Sequence, residues 1–160
     1  MRPRNLEELL EVLKAMSQFE IAISILYKIC AQKWQEDTDF WLSLNEDEIK
    51  HSENVKKLAS IIKDRIGSSS TFRYNRPFTL NSVHSFVNGV MEIVERVRNE
   101  DISKKKILAI ALDIENSALE RRYSQLVKTD DIEYQTISKT IDDETLTHRN
   151  KIREKLAEQK

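Results

Sequence analysis

Residues 41–62 read WLSLNEDEIKHSENVKKLASII. Steps of three and four along this stretch pick out Trp41, Leu44, Glu48, His51, Val55, Leu58 and Ile62, the spacing of one face of an α-helix. The stripe is apolar except at Glu48 and His51, so a carboxylate and an imidazole, three residues apart, are set where a core should be. The C-terminal part repeats the arrangement. Glu144 and His148 fall four apart in a stripe of Tyr134, Ile137, Ile141, Glu144, His148 and then Lys151 or Ile152.

Working outward, each pair is preceded by a lone glutamate in an apolar stripe. Glu20 lies 28 residues (48 − 20) before Glu48, and Glu115 lies 29 residues (144 − 115) before Glu144. The stripe around Glu20 reads Leu6, Leu9, Leu13, Met16, Glu20, Ile23, Tyr27, Cys30, Trp34, and that around Glu115 reads Leu108, Ala111, Glu115, Ala118. Burying bare charge is very costly. Four carboxylates and two imidazoles facing one core therefore need a positive partner, and a pair of metal ions is the simplest one.

The spacing predicts a first helix from about Asn5 to Trp34, a polar turn at residues 35–39, and a second helix ending near Ile66 with Gly67 as its C-cap. Residues 67–79 (GSSSTFRYNRPFT) form the one substantial loop, and a third helix spans Leu80–Asn99. Ser103 starts a fourth helix expected to run to about Lys128, and the last helix follows a turn at residues 129–131. Short connections make helical neighbours antiparallel. The expected fold class is all-α, a four-helix bundle with a long crossover containing an extra helix. It is a single domain over residues 1–160, with hairpins at 5–66 and 103–158 and the crossover at 67–100.

Composition agrees with this. Charged residues make up 33% and apolar ones 39% of 160 residues, and two Gly and two Pro leave little turn chemistry for a β-rich fold. A net charge of −1 provides no global basic field, so no nucleic-acid partner is expected. The lone Cys30 rules out an internal disulfide or a paired-cysteine metal knuckle. No apolar run approaches a membrane span and the N-terminus has no signal-peptide core, so a cytoplasmic protein without a membrane partner is expected.

The doubled pattern of a Glu followed by a Glu-x-x-His-type pair resembles the ferritin-like superfamily of diiron carboxylate proteins, close to rubrerythrin and bacterioferritin domains. The resemblance covers nearly the whole chain, apart from the segment around Leu80–Asn99. It implies a dinuclear site in which Glu20 and His51 hold one metal, Glu115 and His148 hold the other, and Glu48 and Glu144 bridge them. It also implies outer partners for the imidazoles, Asp47 toward His148 and Asp143 toward His51, with Tyr27 as a hydroxyl donor nearby. Two departures stand out. Thr145 occupies the position three before His148 where the family's motif has its carboxylate, and Ala118 stands where rubrerythrins often have a further glutamate.

The cofactor expected is two iron ions, with manganese or a mixed manganese–iron pair compatible with the same ligands. The expected function is an oxidoreductase of the peroxidase or ferroxidase type. It would react with dioxygen or peroxide, take electrons from an unidentified donor, and act as a homodimer. Alternatives are iron storage and a metal-free helical interaction module. His84 lacks a carboxylate partner in register and is read as structural, and the basic aromatic loop with Arg73 and Arg76 is read as a surface lid.

Overall fold

The computed structural model describes residues 1–160 apart from Ser69, Ala118, Leu119, Arg121 and Lys160, and the side chain of Pro3. The described residues are mostly helical. Helix α1 spans Pro3–Lys33, a single 3-10 turn covers Gln35–Asp37, and α2 spans Thr38–Arg65. After strand β1 (Phe72–Tyr74) come α3 (Leu80–Asn99), α4 (Lys104–Glu115) and the short α5 (Tyr123–Leu126). Strand β2 (Val127–Thr129) and α6 (Ile132–Ala157) complete the chain. Among the described residues, no helix is long and apolar enough to cross a membrane.

The helix starts follow from local chemistry. Thr79 forms a capping box with Ser82, the Ser103 hydroxyl accepts the Lys106 N–H, and Asp131 accepts the Tyr134 N–H. Gly67, at φ +79°, adopts the left-handed conformation that ends α2. Helix α1 packs on α2 and α3, α2 also packs on α6, and α6 packs on α4 and α5. The shared core runs through Leu9, Leu13, Phe19, Leu44, Leu58, Val94, Leu108 and Ile141, all essentially inaccessible to solvent.

Two expectations change. The fourth helix stops at Glu115 instead of continuing to Lys128, and Ala118 lies outside the described residues. Helix α5 starts at Tyr123, and its first two amides are capped from α6 by the Asp142 carboxylate. The 67–79 loop is also not a free lid, because β1 pairs antiparallel with β2, Phe72 opposite Thr129 and Tyr74 opposite Val127. Three-residue strands are too short to show a period of two in a sequence. Arg65 grips Asp131 through Nη1 at 2.8 and 3.0 Å, and Ser70 bonds the same carboxylate at 3.1 Å. Arg76 pairs with Glu8 on α1 at 2.9 Å. His84, read as structural, is exposed, whereas Cys30 is a buried core residue.

At the opposite end, Asp37 ties three elements together. Its carboxylate meets Lys104 at the start of α4 at 2.7 Å and Lys155 near the end of α6 at 2.8 Å. Burial alone would raise the Asp37 pKa, but Lys104 and Lys155 more than offset this and hold it below its ordinary value. A carboxylate depressed in the folded state contributes stability above its unfolded pKa and loses it as pH falls through the folded one. Asp37→Asn is therefore expected to cost about 1 kcal/mol at neutral pH, since the lysines stay partly solvated. The difference from wild type should shrink as pH falls below 3.8. Denaturant midpoints across that range check this, and a pH-independent difference would contradict it.

Candidate metal centre

Four elements send acidic or imidazole side chains to one point. Helix α1 contributes Glu20, α2 contributes Glu48 and His51, α4 ends on Glu115, and α6 contributes His148. All five are essentially inaccessible to solvent. Glu48 is central: its Oε2 lies 3.1 Å from His51 Nδ1 and its Oε1 lies 2.8 Å from His148 Nδ1. His148 Nδ1 also lies 3.7 Å from Glu115 Oε1. The two imidazole rings stack with centroids 5.3 Å apart.

Glu144, expected to bridge, is not in this cluster. Its side chain is 46% exposed and its carboxylate meets His51 Nε2 at 2.8 Å. The buried stripe of α6 runs Tyr134, Ser138, Ile141, Thr145, His148 and Ile152, so Thr145 takes the inward place. Steps of three and four can be laid along a helix in either phase. Apolar Ile137 and charged Glu144 suggest one phase, while small polar Ser138 and Thr145 occupy the other. The local repeat is thus Asp47-Glu48-x-x-His51 against Glu144-Thr145-x-x-His148.

This shift pairs the outer imidazole nitrogens consistently. Asp47 meets His148 Nε2 at 3.3 Å, as expected, while Glu144 takes the corresponding place on His51. Asp143, expected in that role, points outward and pairs with Lys139 at 2.5 Å. A carboxylate on Nε2 favours a proton there, so an imidazole that gave up its other proton would turn an Nδ1 lone pair inward.

Two tyrosines complete the frame. Tyr27 donates its hydroxyl to Glu115 Oε1 at 2.5 Å, and Tyr123 donates to Glu20. Both tyrosines are fully buried, so their hydroxyls need partners and each restrains one carboxylate. Tyr123 is positioned by the Asp142 cap at the start of α5, a contact that no local sequence pattern announces.

Glu120 is the residue missed by the sequence reading. It is fully buried and its Oε2 accepts the Thr145 hydroxyl at 3.1 Å. Carboxylate oxygens of Glu20, Glu48 and Glu120 lie within 4.8 Å of one another, as do donor atoms of Glu48, His51 and His148. Five positions along a regular helix amount to a rotation of about 140°, so an unbroken α4 could not direct both Glu115 and Glu120 into one core. The break after Glu115 removes that restriction. A signal was present nonetheless: a hydroxyl at 145 leaves the inward place without a carboxylate, and a second glutamate follows Glu115 in IENSALE.

The electrostatics are those of an overfilled cage. Burial would raise Glu48, but the His148 and His51 imidazoles hold it down to about 2. Burial pushes both histidines down, yet Glu48 lifts His51 to about 9, and Glu115 with Glu48 lifts His148 to about 11. Glu20 and Glu120 are driven well up by burial and by neighbouring carboxylates, and Glu115 is raised by burial and by Glu48.

Donor atoms remain unmatched. Glu20 Oε2, Glu48 Oε1, Glu115 Oε2, Glu120 Oε1 and His148 Nδ1 are buried without a hydrogen-bond partner among the described residues. His148 Nδ1 and Glu48 Oε1 are only 2.8 Å apart, yet they are not aligned as donor and acceptor. Lone pairs that converge without bonding one another fit cations placed between them. Four ionised glutamates, with the histidines giving up their extra protons to bound ions, would also match the charge of two divalent ions.

If the cluster is built for ligation and not for stability, relieving its repulsion should not harm the metal-free protein. Glu20→Gln and Glu115→Gln keep a carbonyl for the tyrosine hydroxyl. In chelator each is expected to leave the melting temperature unchanged or raise it by up to about 4 °C. A fall of that size in thermal melts would mark the glutamates as structural partners instead. No protein-family model, curated protein or solved structure matches the chain, so the function of the cluster is read from its own chemistry.

Proposed function

We propose that this chain is a ferritin-like four-helix bundle holding two iron ions, or manganese in place of one or both, and that it is an oxidoreductase acting on dioxygen or peroxide. The observation that carries this reading is the set of buried, unmatched donor atoms on Glu20, Glu48, Glu115, Glu120 and His148. A mixed oxygen and nitrogen donor set suits iron, manganese or zinc better than calcium, which favours oxygen alone. Two ferrous ions supply two electrons, the number needed to take dioxygen to peroxide or peroxide to water.

The protein's own residues perform the remaining tasks. Glu48 lies between the imidazoles of His51 and His148 and beside Glu20 and Glu120, so it is the carboxylate that would be shared by two bound ions. Asp47 and Glu144 hold the outer imidazole nitrogens and thereby orient the inner ones. Tyr27 and Tyr123 restrain Glu115 and Glu20, and their hydroxyls are the nearest protein donors of a proton to those carboxylates. The surrounding apolar core excludes bulk water, which strengthens every electrostatic interaction at the centre.

A ligand that binds only the folded state raises stability by mass action, about 2.7 kcal/mol at a hundredfold excess over Kd. Anaerobic Fe²⁺ is therefore expected to bind at about two ions per chain and to raise the melting temperature by roughly 5–10 °C. Admitting air should then consume about one dioxygen per two irons, and Glu48→Ala should abolish both the shift and the uptake. An unchanged melting temperature with both Fe²⁺ and Mn²⁺ would overturn the proposal.

A further inference from the structure

The inward face of α6 lacks a carboxylate. Where α2 presents Glu48 three residues before His51, α6 presents Thr145 three residues before His148. A hydroxyl brings no negative charge. With Glu144 turned outward, the helices themselves supply only Glu20, Glu48 and Glu115, one carboxylate short of the charge of two divalent ions.

Glu120 enters from outside the helical frame. It sits between α4 and α5 and is fully buried, and its hydrogen bond among the described residues is to Thr145. One of its oxygens accepts the Thr145 hydroxyl and the other has no partner among the described residues. A carboxylate with a free oxygen in an apolar core is costly unless something binds it there. Its neighbours at that point are Glu20 and Glu48, which are themselves acidic.

We infer that Glu120 supplies from the α4–α5 turn the carboxylate that position 145 lacks, and that Thr145 is its positioning residue. The centre then has two unlike halves sharing Glu48. One half is mixed, with Glu48, His51 and His148, and the other is all-oxygen, with Glu20, Glu48 and Glu120. Imidazole nitrogen suits iron and zinc, whereas carboxylates alone suit manganese and magnesium, so the second half takes the harder ion. The break in α4 is thereby part of the site, since it is what lets Glu120 face inward alongside Glu115. The inference rests on the dinuclear reading proposed above.

The test is a swap. Mn²⁺ is titrated into the metal-free full chain by calorimetry, with free Mn²⁺ followed by its electron paramagnetic resonance signal. Wild type, Glu120→Gln and the double variant Glu120→Gln/Thr145→Glu are compared. The expected result is two ions in wild type and a loss of about tenfold or more in affinity for one ion in Glu120→Gln. The double variant should regain that ion. Far-ultraviolet circular dichroism and melts in chelator verify that all three chains are folded. If Glu120→Gln binds two ions as tightly as wild type, or if the double variant does not recover the lost ion, the inference is overturned while the dinuclear reading stands. A folded wild type that binds neither Mn²⁺ nor Fe²⁺ overturns both.

Discussion

Glu48 is a carboxylate removed from water and placed between two imidazoles, with three more glutamates around it. Such a group of like charges can persist in an apolar interior only if positive charge is held among them. In the metal-free chain, raised histidines and raised glutamates partly meet that demand with protons. Protons leave several lone pairs unmatched, however, because each neutralises one atom while the geometry directs several atoms to the same space. Divalent ions meet the demand with fewer particles and more partners each. The unmatched oxygens and the misaligned Glu48–His148 contact are the atoms that the proposed ions would satisfy.

The rest of the molecule restrains this unfavourable centre. Packing of α1 on α2 and of α2 on α6 supplies the apolar burial, and buried polar links such as Ser17 to Ser52 at 2.8 Å add register between α1 and α2. Salt bridges clamp both ends. Asp37 gathers the starts of α2 and α4 with the end of α6. Arg65 and Asp131 fasten the end of α2 to the start of α6, beside the β1–β2 pair. The tyrosine–glutamate contacts cross the interior and tie α1 to α4 and α5. The packing and the salt bridges that fasten the helices to one another thus lie outside the centre.

Much of this was legible in the sequence, and the exceptions have physical causes. Long stripes such as that of α2 identify themselves, because seven positions in register leave no other phase; the Leu80–Asn99 helix was read to its observed ends. Glu20, Glu48, His51, Glu115 and His148 converge because each sits in such a stripe. The charge of Glu144 points to a phase one residue off, because the small Thr145 fills the inward place on α6. Glu120 lies between the end of α4 and the start of α5, outside the reach of helical periodicity. Tyr123 depends on a cap supplied by Asp142, nineteen residues later in the chain, a tertiary contact that leaves no local trace. The β1–β2 pair joins segments more than fifty residues apart through three residues each.

The chemistry of the centre stands or falls on metal between these side chains. Crystals grown with Fe²⁺ or Mn²⁺, with anomalous scattering recorded at both absorption edges, would locate any ion and identify it. Two peaks are predicted inside the cage formed by Glu20, Glu48, His51, Glu115, Glu120 and His148, with Glu48 touching both. Well-ordered crystals with these side chains as described and no anomalous peak among them would contradict the proposal and leave a metal-free helical protein.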